Sequence, residues 1–339
     1  MASCAVATLQ LVISWMLCLY YSAQIVLLIV FEFFTKPHSK FWVTKKRPYP
    51  PQCLQKHDYG TSKYITVNGV KLHYVENGDS SKPLMLLVHG FPEFWFSWRH
   101  QLNEFAKDYW VIAVDMRGYG DSDKPEGLEA YRIENMVQDI RELVITLGRK
   151  KFTLVAHDWG AVIGWEFVAR HMDMLDKYIM MDAPSKQVIR KAIISSRTQF
   201  KMSWYTFFFQ MPKLPEFFVR MNDIAMFDKV FRHHCNAEEV EAYKYTFAKK
   251  GALTPPINYY RANRAPRSSS VCPPADVSSV PGLYLLGELD MYISKETGSM
   301  MQKQFEKLEF RIVPGADHFL QQHKPVLVNQ LMREFLEKK

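Results

Sequence analysis

The sequence predicts an α/β fold: a mostly parallel sheet covered by helices on both faces, interrupted by a helical insertion and preceded by a membrane-spanning helix. Three observations predict it. Short apolar runs alternate with segments of helical periodicity along most of the chain, the pattern of parallel strands joined by crossover helices. That alternation lapses between about residues 185 and 279, a stretch rich in aromatics, Pro and Met, and the first 31 residues carry no charged side chain. With 339 residues and 48% hydrophobic content, the chain is long enough to bury a large core.

The segment Ala5–Phe31 is dominated by Leu, Ile, Val, Ala and aromatics, and crossing a bilayer takes roughly 20 apolar residues. A cleaved signal peptide is the alternative, but the basic leading region is missing and the apolar part is too long. Lys36, His38, Lys40, Lys45, Lys46 and Arg47 follow at once. The positive-inside bias then puts the rest of the chain in the cytoplasm, so a single-pass protein is expected, with the endoplasmic reticulum as its membrane. Residues 1–35 read as the anchor and 36–58 as a basic, Pro-containing linker. Five cysteines, Cys4, Cys18, Cys53, Cys235 and Cys272, are odd in number and form no C-x-x-C pair, which suits reduced cytosolic thiols and argues against a disulfide frame or a zinc site. The net charge of +8 arises from scattered bases; that weighs against a nucleic-acid partner and suits a surface near anionic lipid.

Residues 59–184 read as the first part of the main domain. Tyr64–Val67 and Val70–Val75 flank Asn68-Gly69, the strongest short hairpin signal. Leu84–Val88, Trp110–Val114, Phe152–Ala156, Tyr178–Met181, Leu283–Leu286 and Phe310–Val313 are apolar runs of the length buried parallel strands show. Helical periodicity is clearest in Ile133–Leu147, Ala161–Arg170 and Val326–Leu336. Residues 185–279 read as a helical lid inserted after the sixth strand, and 280–339 complete the main domain.

In such a sheet, functional residues gather at the carboxyl ends of the strands. Asp158 stands there in Leu154-Val155-Ala156-His157-Asp158-Trp159-Gly160. The small residues two before and two after it, Ala156 and Gly160, are what a sharp strand-to-helix elbow requires. Gly287-Glu288-Leu289-Asp290 and Gly315-Ala316-Asp317-His318 follow the next apolar runs, so the order is nucleophile, acid, base. Each part has a plainer reading. Asp158 could cap the following helix, His73 and His171 read as ordinary polar residues, and Asp317 competes with Asp290 as the partner of His318. Three suitable residues in this order, each after its own strand, favour a triad.

His89-Gly90-Phe91-Pro92, Asp115-Met116-Arg117-Gly118-Tyr119-Gly120-Asp121-Ser122, His157-Asp158-Trp159-Gly160, Asn258-Tyr259-Tyr260-Arg261 and Gly287-Glu288-Leu289-Asp290 together resemble the epoxide hydrolases of the α/β-hydrolase superfamily. The resemblance covers the chain from about Tyr59 onward and, with the apolar N-terminus, is greatest to the membrane-anchored epoxide hydrolase 4 branch. It implies an α/β-hydrolase fold with Asp158 as nucleophile, His318 as general base and Asp290 orienting it. The backbone N–H groups of Phe91 and Trp159 would form the oxyanion hole, while His89 and Pro92 shape that loop. Tyr260 would donate a proton to the epoxide oxygen, with Tyr205 as second donor or hydrogen-bond partner. The implied substrates are water and a lipophilic epoxide, fatty-acid epoxides being the family expectation, with no cofactor, no metal and no obligate protein partner.

The chemistry agrees independently. Serine attacking an sp³ carbon would leave an ether, whereas a carboxylate leaves an ester that water can open. A haloalkane dehalogenase is the runner-up, disfavoured by Phe91 and Tyr260; a catalytically silent, membrane-tethered binding protein is the other, disfavoured by intact Asp158, Asp290 and His318. The chain departs from its relatives at Ala183-Pro184-Ser185-Lys186, where Pro-His-Pro is usual, and at Ala161, where a second Gly is usual.

Overall fold

The computed structural model describes residues 2–36, 40–55, 57–264, 280–305 and 308–338. His38 of the basic segment and positions 265–279 of the expected lid, with Cys272, lie outside the described residues. Among the described residues eight strands form one sheet: β1 (Thr61–Val67), β2 (Val70–Asn77), β3 (Leu84–Val88), β4 (Trp110–Val114), β5 (Phe152–His157), β6 (Leu175–Met181), β7 (Gly282–Gly287) and β8 (Leu308–Val313), in the order β1-β2-β4-β3-β5-β6-β7-β8. The β1–β2 pair and the β2–β4 pair are antiparallel; every other pairing is parallel. Asn68 and Gly69 turn the hairpin with φ of 50° and 70°, the two positive values a type I′ turn needs.

Strands β3, β4 and β5 are buried along their whole length. Both faces are covered, which is why they read as unbroken apolar runs rather than alternating ones. Helices Ile133–Thr146 and Trp159–His171 pack on one another, and Arg99–Phe105 packs on Pro325–Leu336. Between β6 and β7 the chain forms helices Lys186–Ser195, Arg197–Met202, Trp204–Phe208, Leu214–Val230, Ala237–Ala248 and Thr254–Ala262. Ser185, at the departure noted above, caps the first of them by accepting the Val188 N–H at 3.4 Å.

Helix Leu214–Val230 is broken at Met221–Ile224, where Asn222, Asp223 and Ile224 take positive φ. The basic segment docks there. Phe41 O accepts the Asn222 N–H at 2.6 Å, and the Arg47 guanidinium meets Asp223 at 2.7 Å and Glu241 at 2.6 Å. That cation is directed at the protein rather than at a lipid surface. The helix Ala2–Thr35 contains Leu11–Thr35, long and apolar enough to cross a membrane by length and composition, with little of it buried. Its inner side packs on Trp204–Phe208, Tyr21 stacking on Phe207 at 6.4 Å, while Leu19 and Leu27 face outward.

Candidate active site

Strand β5 ends at His157 and the next helix starts at Trp159, so the chain must reverse within one residue. Asp158 does this with φ 48° and ψ −118°, a conformation that stores roughly 1–3 kcal/mol in a non-glycine residue and persists only where the surroundings enforce it. They do so by close approach. A Cβ on Gly160 would lie 2.2 Å from Val88 O, and one on Gly90 would lie 2.4 Å from the Asp158 side chain. Asp158 occupies the N-cap position yet makes no side-chain cap bond, which removes the plainer reading of this residue. Its carboxylate is turned out instead, over the ends of the strands.

There the loops after β3, β5, β7 and β8 converge. The Phe91 N–H donates to Asp158 Oδ1 at 2.7 Å, and His318 Nε2 faces Asp158 Oδ2 at 3.5 Å. On its other side His318 Nδ1 meets Asp290 Oδ2 at 2.8 Å, and the remaining oxygen of Asp290 accepts the N–H groups of Tyr292 at 2.6 Å and Ile293 at 2.9 Å. Of the two backbone donors expected at Asp158, only Phe91 makes that bond among the described residues. Trp159 opens the helix with its indole edge-on to Tyr260, 5.0 Å away. Burial opposes the charged form of His318, but Asp290 and Asp158 outweigh it and raise its pKa well above the ordinary value.

Asp317, the competing partner, points elsewhere: its Oδ2 lies 3.4 Å from both His234 Nδ1 and His323 Nδ1. His73 is a satisfied core residue, bonded to Asp115 at 2.7 Å and Ser62 at 2.7 Å. His89 is buried and accepts the Met116 N–H at 3.2 Å.

Tyr205 and Tyr260 face this array across a cavity of about 100 Å³, lined otherwise by Phe91, Phe209, Phe218, Met226, Val230 and Phe319. The two rings lie 5.9 Å apart. Burial, and then the Asp158 charge, raises both phenol pKa values well above the usual one, so both hydroxyls remain proton donors.

Sequence reasoning missed the layer beneath. Glu93 and His157 are fully buried and bonded at 2.6 Å; the other His157 nitrogen donates to His318 O at 2.7 Å, tying the backbone of His318 to the elbow. Glu93 also accepts Gly90 N–H at 3.0 Å and the amides of Gln321 and Gln322 at 2.8 and 2.9 Å. A signal existed, since a lone carboxylate within Phe91-Pro92-Glu93-Phe94-Trp95-Phe96 is too costly to bury unpaired. Asp182, after β6, was missed as well. It is fully buried and accepts the Gly287 N–H at 2.7 Å; burial and the nearby Asp290 charge raise its pKa well above the usual range.

A family model for the alpha/beta hydrolase fold matches residues 83–325. The chain is 40% identical to epoxide hydrolase 3 of Xenopus tropicalis over 317 residues, covering 89% of this chain and 84% of that one, and 38% identical to epoxide hydrolase 4 of Mus musculus over 307 residues, covering 86% and 84%. Among solved structures, a variant epoxide hydrolase from Bacillus megaterium complexed with its naphthyloxy-propanediol product superposes with a TM-score of 0.75 at 32% identity, covering 81% of this chain and 100% of that one. A strained aspartate elbow at the sheet's carboxyl edge, on a chain this similar over most of its length, has one consistent assignment: the protein belongs to the epoxide hydrolase family of the α/β hydrolases.

Proposed function

We propose that the protein opens lipophilic epoxides to vicinal diols through an alkyl ester on Asp158. The observation that carries this reading is the division of labour at that carboxylate: Phe91 N–H holds Oδ1 at 2.7 Å while Oδ2 faces His318 and the cavity. Oδ2 attacks a ring carbon, the ring C–O bond breaks, and a proton from Tyr260, supported by Tyr205, goes to the leaving oxygen. Oδ1 is then the ester carbonyl.

Esterification removes the Asp158 charge, one of the two that raise the His318 pKa. The imidazolium weakens and returns a proton to the tyrosinate, which leaves a neutral base. His318, oriented by Asp290, then takes a proton from water as its oxygen attacks the Asp158 carboxyl carbon. The resulting oxyanion sits at Oδ1, where Phe91 N–H and, after a small shift, Trp159 N–H stabilise it; one such donor is worth about 3 kcal/mol of barrier. Collapse expels the diol alkoxide, which takes up the carboxyl proton, and Asp158 is an anion again. A single turnover in heavy-oxygen water with enzyme in excess is expected to give unlabelled diol, the label entering Asp158. Fully labelled diol in that first turnover would mean direct attack by water.

The aromatic and aliphatic lining of the cavity supports a lipophilic substrate, with long-chain fatty epoxides the best fit to a chain tethered in a bilayer. Residues 1–35 serve as a single-pass anchor, 36–58 as the basic connection, 59–184 and 280–339 as the hydrolase core and 185–279 as the lid. The charge asymmetry around the apolar helix puts the core on the cytosolic face, at the endoplasmic reticulum. Protease added to sealed microsomes should digest the core; protection would reverse the topology.

A further inference from the structure

Behind the base, on the side away from the cavity, three side chains from separate segments converge. His234 comes from the turn between lid helices Leu214–Val230 and Ala237–Ala248, Asp317 from the loop after β8, and His323 from the end of helix Leu320–His323. The His234 side chain is 0% exposed, yet among the described residues neither of its ring nitrogens has a hydrogen-bond partner. Buried imidazoles are normally bonded. Both facing nitrogens, His234 Nδ1 and His323 Nδ1, stand 3.4 Å from the same oxygen, Asp317 Oδ2, and ligating atoms of all three residues lie within 4.8 Å of one another.

Those distances are too long for charge-assisted hydrogen bonds, which run to about 2.7–2.9 Å. They do match the edge of a coordination tetrahedron, because bonds of about 2.0–2.1 Å to zinc place neighbouring ligand atoms roughly 3.3 Å apart. The other carboxylate oxygen, Oδ1, is engaged by the Phe319 N–H at 3.0 Å, which orients Oδ2 toward the imidazoles. His323 Nδ1 now accepts the Asp317 N–H at 3.1 Å; an ion would displace that bond. The turn carrying His234 is itself held by Arg99, which donates to His234 O at 3.2 Å, to Glu239 at 2.8 Å and to Gln322 at 2.8 Å.

We propose that His234, Asp317 and His323 form a binding site for a divalent ion of the zinc class, with water completing the shell, and that the ion staples the lid to the loop bearing His318. Two imidazoles and one carboxylate suit zinc rather than calcium or magnesium, which take all-oxygen sets. The ring of Phe319 lies 5.3 Å from His234 and 5.2 Å from His318, which places the ion one side chain away from the base.

The test is zinc titration of the full-length, detergent-solubilised, chelator-treated protein against a chromogenic indicator, with Co²⁺ as an optical probe of the same site. One tight equivalent per chain, a Co²⁺ spectrum of tetrahedral form, and a rise in melting temperature on adding zinc are expected. His323→Gln, at a position whose side chain is 16% exposed, and His234→Ala should each weaken binding by roughly tenfold or more and abolish the thermal shift, whereas His233→Ala should change neither. Absence of stoichiometric binding, or binding that both ligand variants leave unaltered, would overturn the site.

Discussion

In the His318→Gln protein, the first turnover should leave the substrate on the enzyme. Glutamine fills much of the same space but accepts no proton at neutral pH, so Asp158 can still attack while water cannot be activated. Intact mass should rise by one substrate mass within the time of a single turnover, and steady-state kcat should fall by about 10⁴-fold or more, the scale of losing a triad member. Tyr260→Phe should behave in the opposite way in the same assay. Only ring opening needs a proton on the leaving oxygen, so ester formation slows by up to about 10²-fold, with Tyr205, 5.9 Å away ring to ring, sustaining the remainder, and no adduct accumulates. An unmodified His318→Gln enzyme that still yields diol would remove the covalent intermediate from the mechanism.

Glu93→Gln should be the most destabilising single-residue exchange beneath the site. The substitution keeps the size of the side chain and leaves His157 facing an amide in a fully buried place, and breaking a buried pair of this kind typically costs about 3–5 kcal/mol. For a domain of this size that is a fall in Tm of roughly 10 °C, at ~2–4 °C for each kcal/mol. The pH dependence has a definite sign. Burial alone would raise the Glu93 pKa, but His157 and the surrounding donors bring it from its ordinary 4.5 down to about 2. A carboxylate depressed in this way stabilises the fold above its unfolded value and loses that contribution as pH falls through the folded one, so the wild-type protein should lose stability between about pH 4.5 and 2, and the variant should lack that share of the loss. Thermal unfolding followed by circular dichroism across this range measures it; equal Tm values for the two proteins would make the pair a spectator.

Strands β3, β4, β5 and β7 were legible because burial on both faces writes them as apolar runs, and the hairpin because Asn68-Gly69 supplies both positive φ angles on its own. Asp158 was legible because an elbow demands small neighbours at fixed offsets, Ala156 and Gly160. These are local constraints, satisfied within a few residues, and they leave a trace in the order of the chain. The convergence of Asp158, Asp290 and His318 could be expected too, since parallel strands deliver their following loops to one edge of the sheet.

Which neighbouring side chain faces which partner could not be read in the same way. Asp317 is next to His318 in sequence, yet it is Asp290, 28 positions away, that meets the ring; the turn from β8 sends adjacent side chains to opposite sides. Glu93 and His157 are 64 positions apart, the docking of Arg47 on Asp223 spans 176, and that contact exists because the lid helix breaks into positive φ at Asn222, Asp223 and Ile224 with no Gly or Pro at those positions to announce it. Periodicity and motif spacing report the constraints that a segment places on itself. Pairing between buried polar groups is set by the meeting of distant segments, whose desolvation penalty is offset only once the whole fold has brought donor and acceptor within bonding distance, and that meeting leaves no mark on either segment alone.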